Sequence, residues 1–285
     1  MPIDPKRSRL TFQKLSRELT RLVKKPLPES VHKFRTNSRR VEALLSEVVV
    51  ESRRNDEKLL RLLARLRKKA GRVRDLDVQI ASLRSLKIPG GNGHKAQFSN
   101  ALVEERTQRE KKLARAFDRE TAAEIRRRLK RAASRMAIPA DTEPLTLTLA
   151  KLAQLGRDYI PLTEKTLHQY RIIGKRARYI AELSDNEPEA RRVVERLKHM
   201  QDVIGDWHDW LKLTQKAEKL LGDFRDSALV AMLRNVTQAK FRQSLDAVAE
   251  IRRELAGKIL RPTTAQPAQT RKPSRDEAAR TAAVA

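Results

Sequence analysis

Two short blocks of this sequence repeat one arrangement of basic side chains around a histidine. Residues 31–44 read VHKFRTNSRRVEAL and residues 167–180 read LHQYRIIGKRARYI, an offset of 136. His32 meets His168, Arg35 meets Arg171, Arg39 meets Lys175 and Arg40 meets Arg176. Such rows suit phosphate oxygens: Arg and Lys present many N–H donors, Arg bidentately. A neutral histidine adds one directional donor and gains charge when a bound phosphate raises its pKa. A second echo follows each block, because Gly71-Arg-Val-Arg74-Asp75 resembles Gly205-Asp-Trp-His208-Asp209 at an offset of 134. That brings Arg72 and Arg74 into the candidate set, with His208 as the counterpart of Arg74. The shared order and spacing argue for an internal duplication.

Helical geometry must position these rows. At about 100° per residue, Arg35 and Arg39 lie roughly 60° and 20° from His32 around a helix axis. Val31, Phe34, Val41, Leu45 and Val48 fall on the other side. One face is core and the other carries cations over about two turns, ~10 Å. In the second block His168, Arg171, Lys175 and Arg178 form the matching row, backed by Leu167, Tyr170, Ile173, Ala177 and Ile180. The bland alternative is a pair of solvated helix faces. Ser30 as N-cap would place His32 in a first turn, where free N–H groups favour an anion. In the second block the helix starts at Thr166, with Gln169 completing a capping box, or already at Thr163.

The rest of the chain also reads as helix, over 10–24, 30–52, 56–69 and on to about 86, 95–135, 145–160, 164–183, 188–221 and 226–260. Breaks are expected at Pro26–Pro28, Ile88–Gly93 and Ala137–Pro144. No strand alternation is convincing, so the expected fold is all-α, built of antiparallel bundles of long helices. Residues 1–140 hold the first repeat and 141–261 the second. Residues 262–285, rich in Pro, Thr, Ala and charge, are expected to be a disordered tail.

The chain has 285 residues, long enough for a sizeable core. Its 63 Lys+Arg against 36 Asp+Glu give a net charge of +27. Residues 1–140 carry +21 of it, so the charge belongs to the fold and calls for a polyanion to offset it. Nucleic acid, an anionic membrane surface and inorganic polyphosphate are the candidates. With 9 Gly and 4% aromatics, Gly-rich nucleotide folds and β-sandwiches are unexpected. No Cys means no disulfide, thiolate metal site or cysteine nucleophile. No apolar run approaches ~20 residues, and the first residues lack a secretory signal, so a cytoplasmic protein is expected.

Other chemistry is poorly supported. There is no HxxxH or HExxH pair, His94 falls in a loop, and arginines around His32 and His168 would repel a shared ion, so no metal is expected. His199 reads as a surface residue. Asp75 and Asp209 suit capping or holding basic side chains better than acid–base catalysis. Trp207, Trp210, Tyr170 and Tyr179 suit packing better than base stacking. No P-loop, nucleophile elbow or carboxylate cluster for Mg²⁺ is present. Neither catalysis nor a cofactor is expected.

On these residues the chain resembles the CHAD family, the conserved-histidine α-helical domains. The motifs are Val31-His32-Lys-Phe-Arg35…Arg39-Arg40, Arg74-Asp75-Leu-Asp77-Val78, Leu167-His168-Gln-Tyr-Arg171…Lys175-Arg176-Ala-Arg178-Tyr179 and Gln201-Asp-Val-Ile-Gly205…Asp209. The resemblance spans roughly residues 5–260. It implies two helical bundles related by pseudo-twofold symmetry, a basic channel between them that binds inorganic polyphosphate, and recruitment to polyphosphate granules. Thr36, Asn37 and Ser38 stand where the family is typically apolar or basic. The Glu-x-Glu-x-Lys strand of a fused triphosphate tunnel enzyme is not found, so a stand-alone binding domain is expected. The expected polyphosphate-binding set is His32, Arg35, Arg39, Arg40, Arg72, Arg74, His168, Arg171, Lys175, Arg176 and Arg178. The competing reading is a structural nucleic-acid-binding protein using Arg126–Arg131; a phosphohydrolase or polyphosphate kinase is the third.

Overall fold

A computed structural model describes residues 3, 5–49, 53–88, 93–156, 161–184, 187–222 and 227–259. The expected tail at 262–285 lies outside them. Among the described residues the chain is all helical: α1 Pro5–Lys24, α2 Pro28–Glu47, α3 Arg54–Ser85, α4 Gly93–Ala116, α5 Arg119–Arg135, α6 Pro144–Gly156, α7 Glu164–Ala181, α8 Pro188–Leu221 and α9 Ala228–Ile259, with a 3₁₀ turn at Glu182–Ser184.

Local chemistry sets the helix ends. Leu27, not Ser30, is the N-cap of α2, because Pro28 takes the first helical position, where its missing N–H costs nothing. His32 therefore sits beyond the first turn, and the anion-binding end expected beneath it is not there. Thr163 caps α7, its hydroxyl accepting from Thr166 N–H while the Thr166 side chain accepts from Thr163 N–H. The two caps, Leu27 and Thr163, keep the 136-residue offset of the motifs. Replacing Thr163 by Ala is expected to cost about 1 kcal/mol, readable as a shift in a urea unfolding curve. The stretch read as one helix over 95–135 is two, because Asp118 accepts from Thr121 N–H at 2.6 Å and starts α5 afresh. His94 lies in the first turn of α4 rather than in a loop.

Three apolar clusters hold these helices. One joins α1, α2, α5, the first half of α3 and the end of α4, with the Phe34 and Phe117 rings edge-on at 5.0 Å. Another joins α6, α7, the first half of α8 and the far half of α9. Between them, Leu76, Ile80 and Leu83 of α3 and Phe98 and Leu102 of α4 pack with Trp210, Leu213 and Ala217 of α8 and Leu229, Val230 and Leu233 of α9. This middle cluster locks the distal half of the α3–α4 hairpin to that of the α8–α9 hairpin. It fixes how far apart α3 and α8 stand.

The helices under the cationic rows also pack closely. A Cβ on Gly174 of α7 would lie 2.5 Å from Met200 Cε of α8, so only glycine permits this approach unless Met200 shifts. Trp207, Trp210, Tyr170 and Tyr179 are all buried at 9% exposure or less, in packing roles. Tyr170 donates its hydroxyl to Leu155 O at 2.9 Å.

Candidate polyanion-binding groove

α2 packs against α7, and α3 against α8. Between them lies one groove, floored by α2 and α7 and walled by α3 and α8, into which each cationic row sends an arginine, Arg35 and Arg171. Its cavity of about 550 Å³ is lined by Arg35, Arg72, Arg171, His208, Lys212 and Lys219, with Asp75, Asp209 and the Glu105–Lys216 pair among its other walls.

Each row meets its own following helix. The His32 ring reaches solvent, yet its partial burial and the guanidinium groups of Arg74 and Arg35 push its pKa below the ordinary histidine value. His168 stacks on His208, centroids 6.3 Å apart. Partial burial and then Arg171, His208, Lys175 and Lys212 lower its pKa too. The sequence counterparts Arg74 and His208 thus hold equivalent stations beside the two histidines. Both histidines are neutral donors at pH 7 and become cations more readily once an anion arrives.

The floor is more crowded. Arg35 donates to Gly71 O and to Asp75 Oδ1, both at 3.3 Å, and its guanidinium lies 3.7 Å from where a Cβ on Gly71 would sit. Burial, and then the charge of Arg67, lower the pKa of Arg39. Lys175 is pushed down from 10.5 to about 7 by burial and then by Arg171, Arg39 and Arg35, against a small opposing pull from Asp209. Four cations from the two rows are thus close enough to repel one another. Among the described residues Arg39, Arg72, Arg74, Arg171, Lys175, Lys212 and Lys219 have no carboxylate within ion-pair distance. Arg171 Nε and His208 Nδ1 are buried without a hydrogen-bond partner in the protein, His208 Nδ1 lying 3.8 Å from Asp209 Oδ1. Buried polar atoms left unpaired in this way are uncommon and need a reason.

The sequence-derived set divides on this geometry. Arg35, Arg72 and Arg171 line the cavity itself, while His32, Arg39, His168 and Lys175 lie within electrostatic reach of Arg35 or Arg171, and Arg74 lies beside His32. Arg40 and Arg178 are instead drawn to Glu182 at the end of α7, at 2.7 and 3.4 Å. Arg178 also lies over the Tyr179 ring at 4.9 Å. Arg176 is exposed. The unusual 36–38 stretch is used to hold arginines, since buried Ser38 accepts from Arg67 at 3.1 Å and Asn37 from Arg40 at 3.4 Å.

Of the α8 wall, sequence reasoning singled out His208 but missed Lys212, Lys216 and Lys219. His208, Lys212, Lys216 and Lys219 recur at intervals of four, four and three, one continuous helical stripe. That spacing was a usable signal. Lys216 bridges to Glu105 of α4 at 2.7 Å and Gln79 of α3 at 3.3 Å, tying one end of the groove. Burial alone would raise the Glu105 pKa, but Lys216 and Arg109 hold it below the ordinary value. Among the described residues no three His, Asp or Glu side chains converge as a metal site.

The chain matches the family model of the CHAD domain over residues 8–213. Its fold resembles that of PptA from Streptomyces chartreusis, with a TM-score of 0.65 and 17% identity, covering 90% of this chain and all of that one. The CHAD domain from the plant Ricinus communis superposes with the same TM-score and identity, covering 86% of this chain and 88% of that one. Among curated protein sequences none matches significantly.

Proposed function

This chain belongs to the CHAD domain family, and we propose that it binds inorganic polyphosphate in the groove between α3 and α8, without catalysing a reaction on it. One observation carries the reading. Arg35, Arg39, Arg171 and Lys175 are gathered on one floor with too few carboxylates to neutralise them, at a cost in mutual repulsion that a bound anion relieves with all four still charged. A flexible chain of phosphates supplies many acidic oxygens along a narrow path and needs no base-reading contacts. Arg171 Nε and His208 Nδ1 add two more polar atoms in need of partners. Two of the groove's three carboxylates hold cations, Asp75 on Arg35 and Glu105 on Lys216, which suits a binding surface better than acid–base catalysis.

A protein used this way belongs at polyphosphate granules in the cytoplasm. No described helix is long and apolar enough to cross a membrane. The nucleic-acid reading is weakened at its proposed face, because Arg127 and Arg128 both pair with Glu124 and Arg126 donates to Thr20.

The test is equilibrium binding of long-chain polyphosphate and of duplex DNA, side by side at about 150 mM salt. Tighter binding of polyphosphate is expected, and a preference for DNA would overturn the reading. Affinity for polyphosphate should also fall roughly 50-fold or more between 50 and 200 mM salt, if four or more phosphates are neutralised with the slope of a single-stranded polyanion.

A further inference from the structure

A second concave surface opens where the start of α3 lies against α5, with a cavity of about 510 Å³. Six cations line it: Arg53, Arg54 and Lys58 at the start of α3, and Arg128, Arg131 and Arg135 on one face of α5. Among the described residues only Arg128 of the six has a carboxylate partner, Glu124 at 2.5 Å. Its Nε is nevertheless buried without a hydrogen-bond partner. The cavity's one carboxylate, Asp56, is buried and accepts from the Asn55 amide at 3.0 Å. Asn55 also donates to Arg128 O at 3.3 Å and accepts from Arg128 at 3.4 Å, so α3 and α5 are fixed relative to one another. The N-cap residue Arg53 makes no side-chain cap to the first turn of α3.

This place is separate from the groove. Arg54 and Arg72 are eighteen residues apart on one helix, about 27 Å along its axis. Five cations with no carboxylate partner among the described residues repel one another around one concavity, and those on α5 span seven residues from Arg128 to Arg135, about 10 Å. We propose that this pocket is a second phosphate site, taking a short condensed phosphate, either free or as a segment of a longer chain.

The probe is sodium tripolyphosphate, titrated calorimetrically into three full-length proteins. They are the wild type, a pocket variant (Arg53→Ala, Lys58→Ala, Arg135→Ala) and a groove variant (Arg35→Ala, Arg171→Ala). The pocket substitutions lie at the surface and touch no groove residue. The wild type is expected to bind two equivalents, the pocket variant one, and the groove variant to keep the pocket's equivalent. A pocket variant that binds as many equivalents as the wild type, with unchanged affinity, overturns the proposal. So does a groove variant that binds none. If the groove reading fails, the groove variant matches the wild type while the pocket variant still loses one equivalent, so the two failures are distinct. Long-chain polyphosphate then separates the sources. A roughly tenfold weaker affinity of the pocket variant means that one chain spans both sites, and unchanged affinity means that the pocket serves free oligophosphate. Either result accompanies the lost equivalent and supports the site.

Discussion

Replacing Arg35 and Arg171 together by alanine is expected to weaken binding of long-chain polyphosphate by ~100-fold or more, with the helical content unchanged. Each guanidinium stands on the groove floor at matching positions of the two rows. A charge-assisted hydrogen bond to phosphate contributes about 1.5–3 kcal/mol, so two lost contacts reach that factor. The fold should tolerate the change. Arg35 makes only long contacts to Gly71 and Asp75, and Arg171 Nε has no partner to lose. Removing both also relieves the repulsion on Lys175, for which they are two of the three named cations. Arg40→Ala is the matched control. Its side chain is held by Glu182, so its loss should change affinity less than threefold. A roughly tenfold loss for Arg40→Ala in a binding assay, half the double variant's loss in free energy as one charge is to two, would mean that bulk charge, not the groove, captures the ligand.

The second large effect concerns Lys175. Its folded pKa of about 7 lies far below its ordinary value of 10.5. Between these two values the unfolded chain holds more protons than the folded one, so stability of the unliganded protein rises as pH rises from 7 toward 10.5, and flattens below 7 where both states are protonated. The Lys175 contribution to that slope approaches 1.4 kcal/mol per pH unit. Lys175→Met removes the strained charge, and it is expected to stabilise the unliganded protein by on the order of 2–4 kcal/mol at pH 7. A polyanion reverses the balance, because it favours the protonated amine. The facing groups are Arg35 and Arg39 from α2, Arg171 from α7 itself and Asp209 from α8, three cations against one carboxylate, so the ligand supplies the negative charge they lack. Binding at pH 8 should take up close to one proton in wild type and clearly less in Lys175→Met. Affinity should fall by up to tenfold per pH unit above 7. Calorimetry in two buffers of different ionisation enthalpy reads the proton count directly, and equal uptake in the two proteins contradicts the assignment.

Much of the architecture was legible because helical periodicity is a local property. The stretch read as 188–221 is α8 to the residue. The errors at ends also had local signals that were outweighed: Pro28 as a first helical residue, and Asp118 followed three residues later by Thr121. The rows at His32 and His168 were readable for the same reason, being apolar on one side and cationic on the other. What could not be read is which cations share a space. Arg40 has the same type as Arg39 and is its neighbour, but it is captured by Glu182, 142 residues away. The α8 stripe becomes a groove wall only because Leu213 and Ala217, on its other face, pack into the middle cluster with α3 and α4. Pairings between distant segments depend on tertiary packing, which no spacing along the chain encodes.

The central claim is that one polyphosphate chain lies across both rows at once. A crystal structure of the protein grown with long-chain polyphosphate addresses it directly. Phosphoryl oxygens within hydrogen-bond distance, about 3 Å, of Arg35 on α2 and Arg171 on α7 in the same chain are the expected result. Ordered phosphates confined to other surfaces, with Arg35 and Arg171 contacting none, would contradict it.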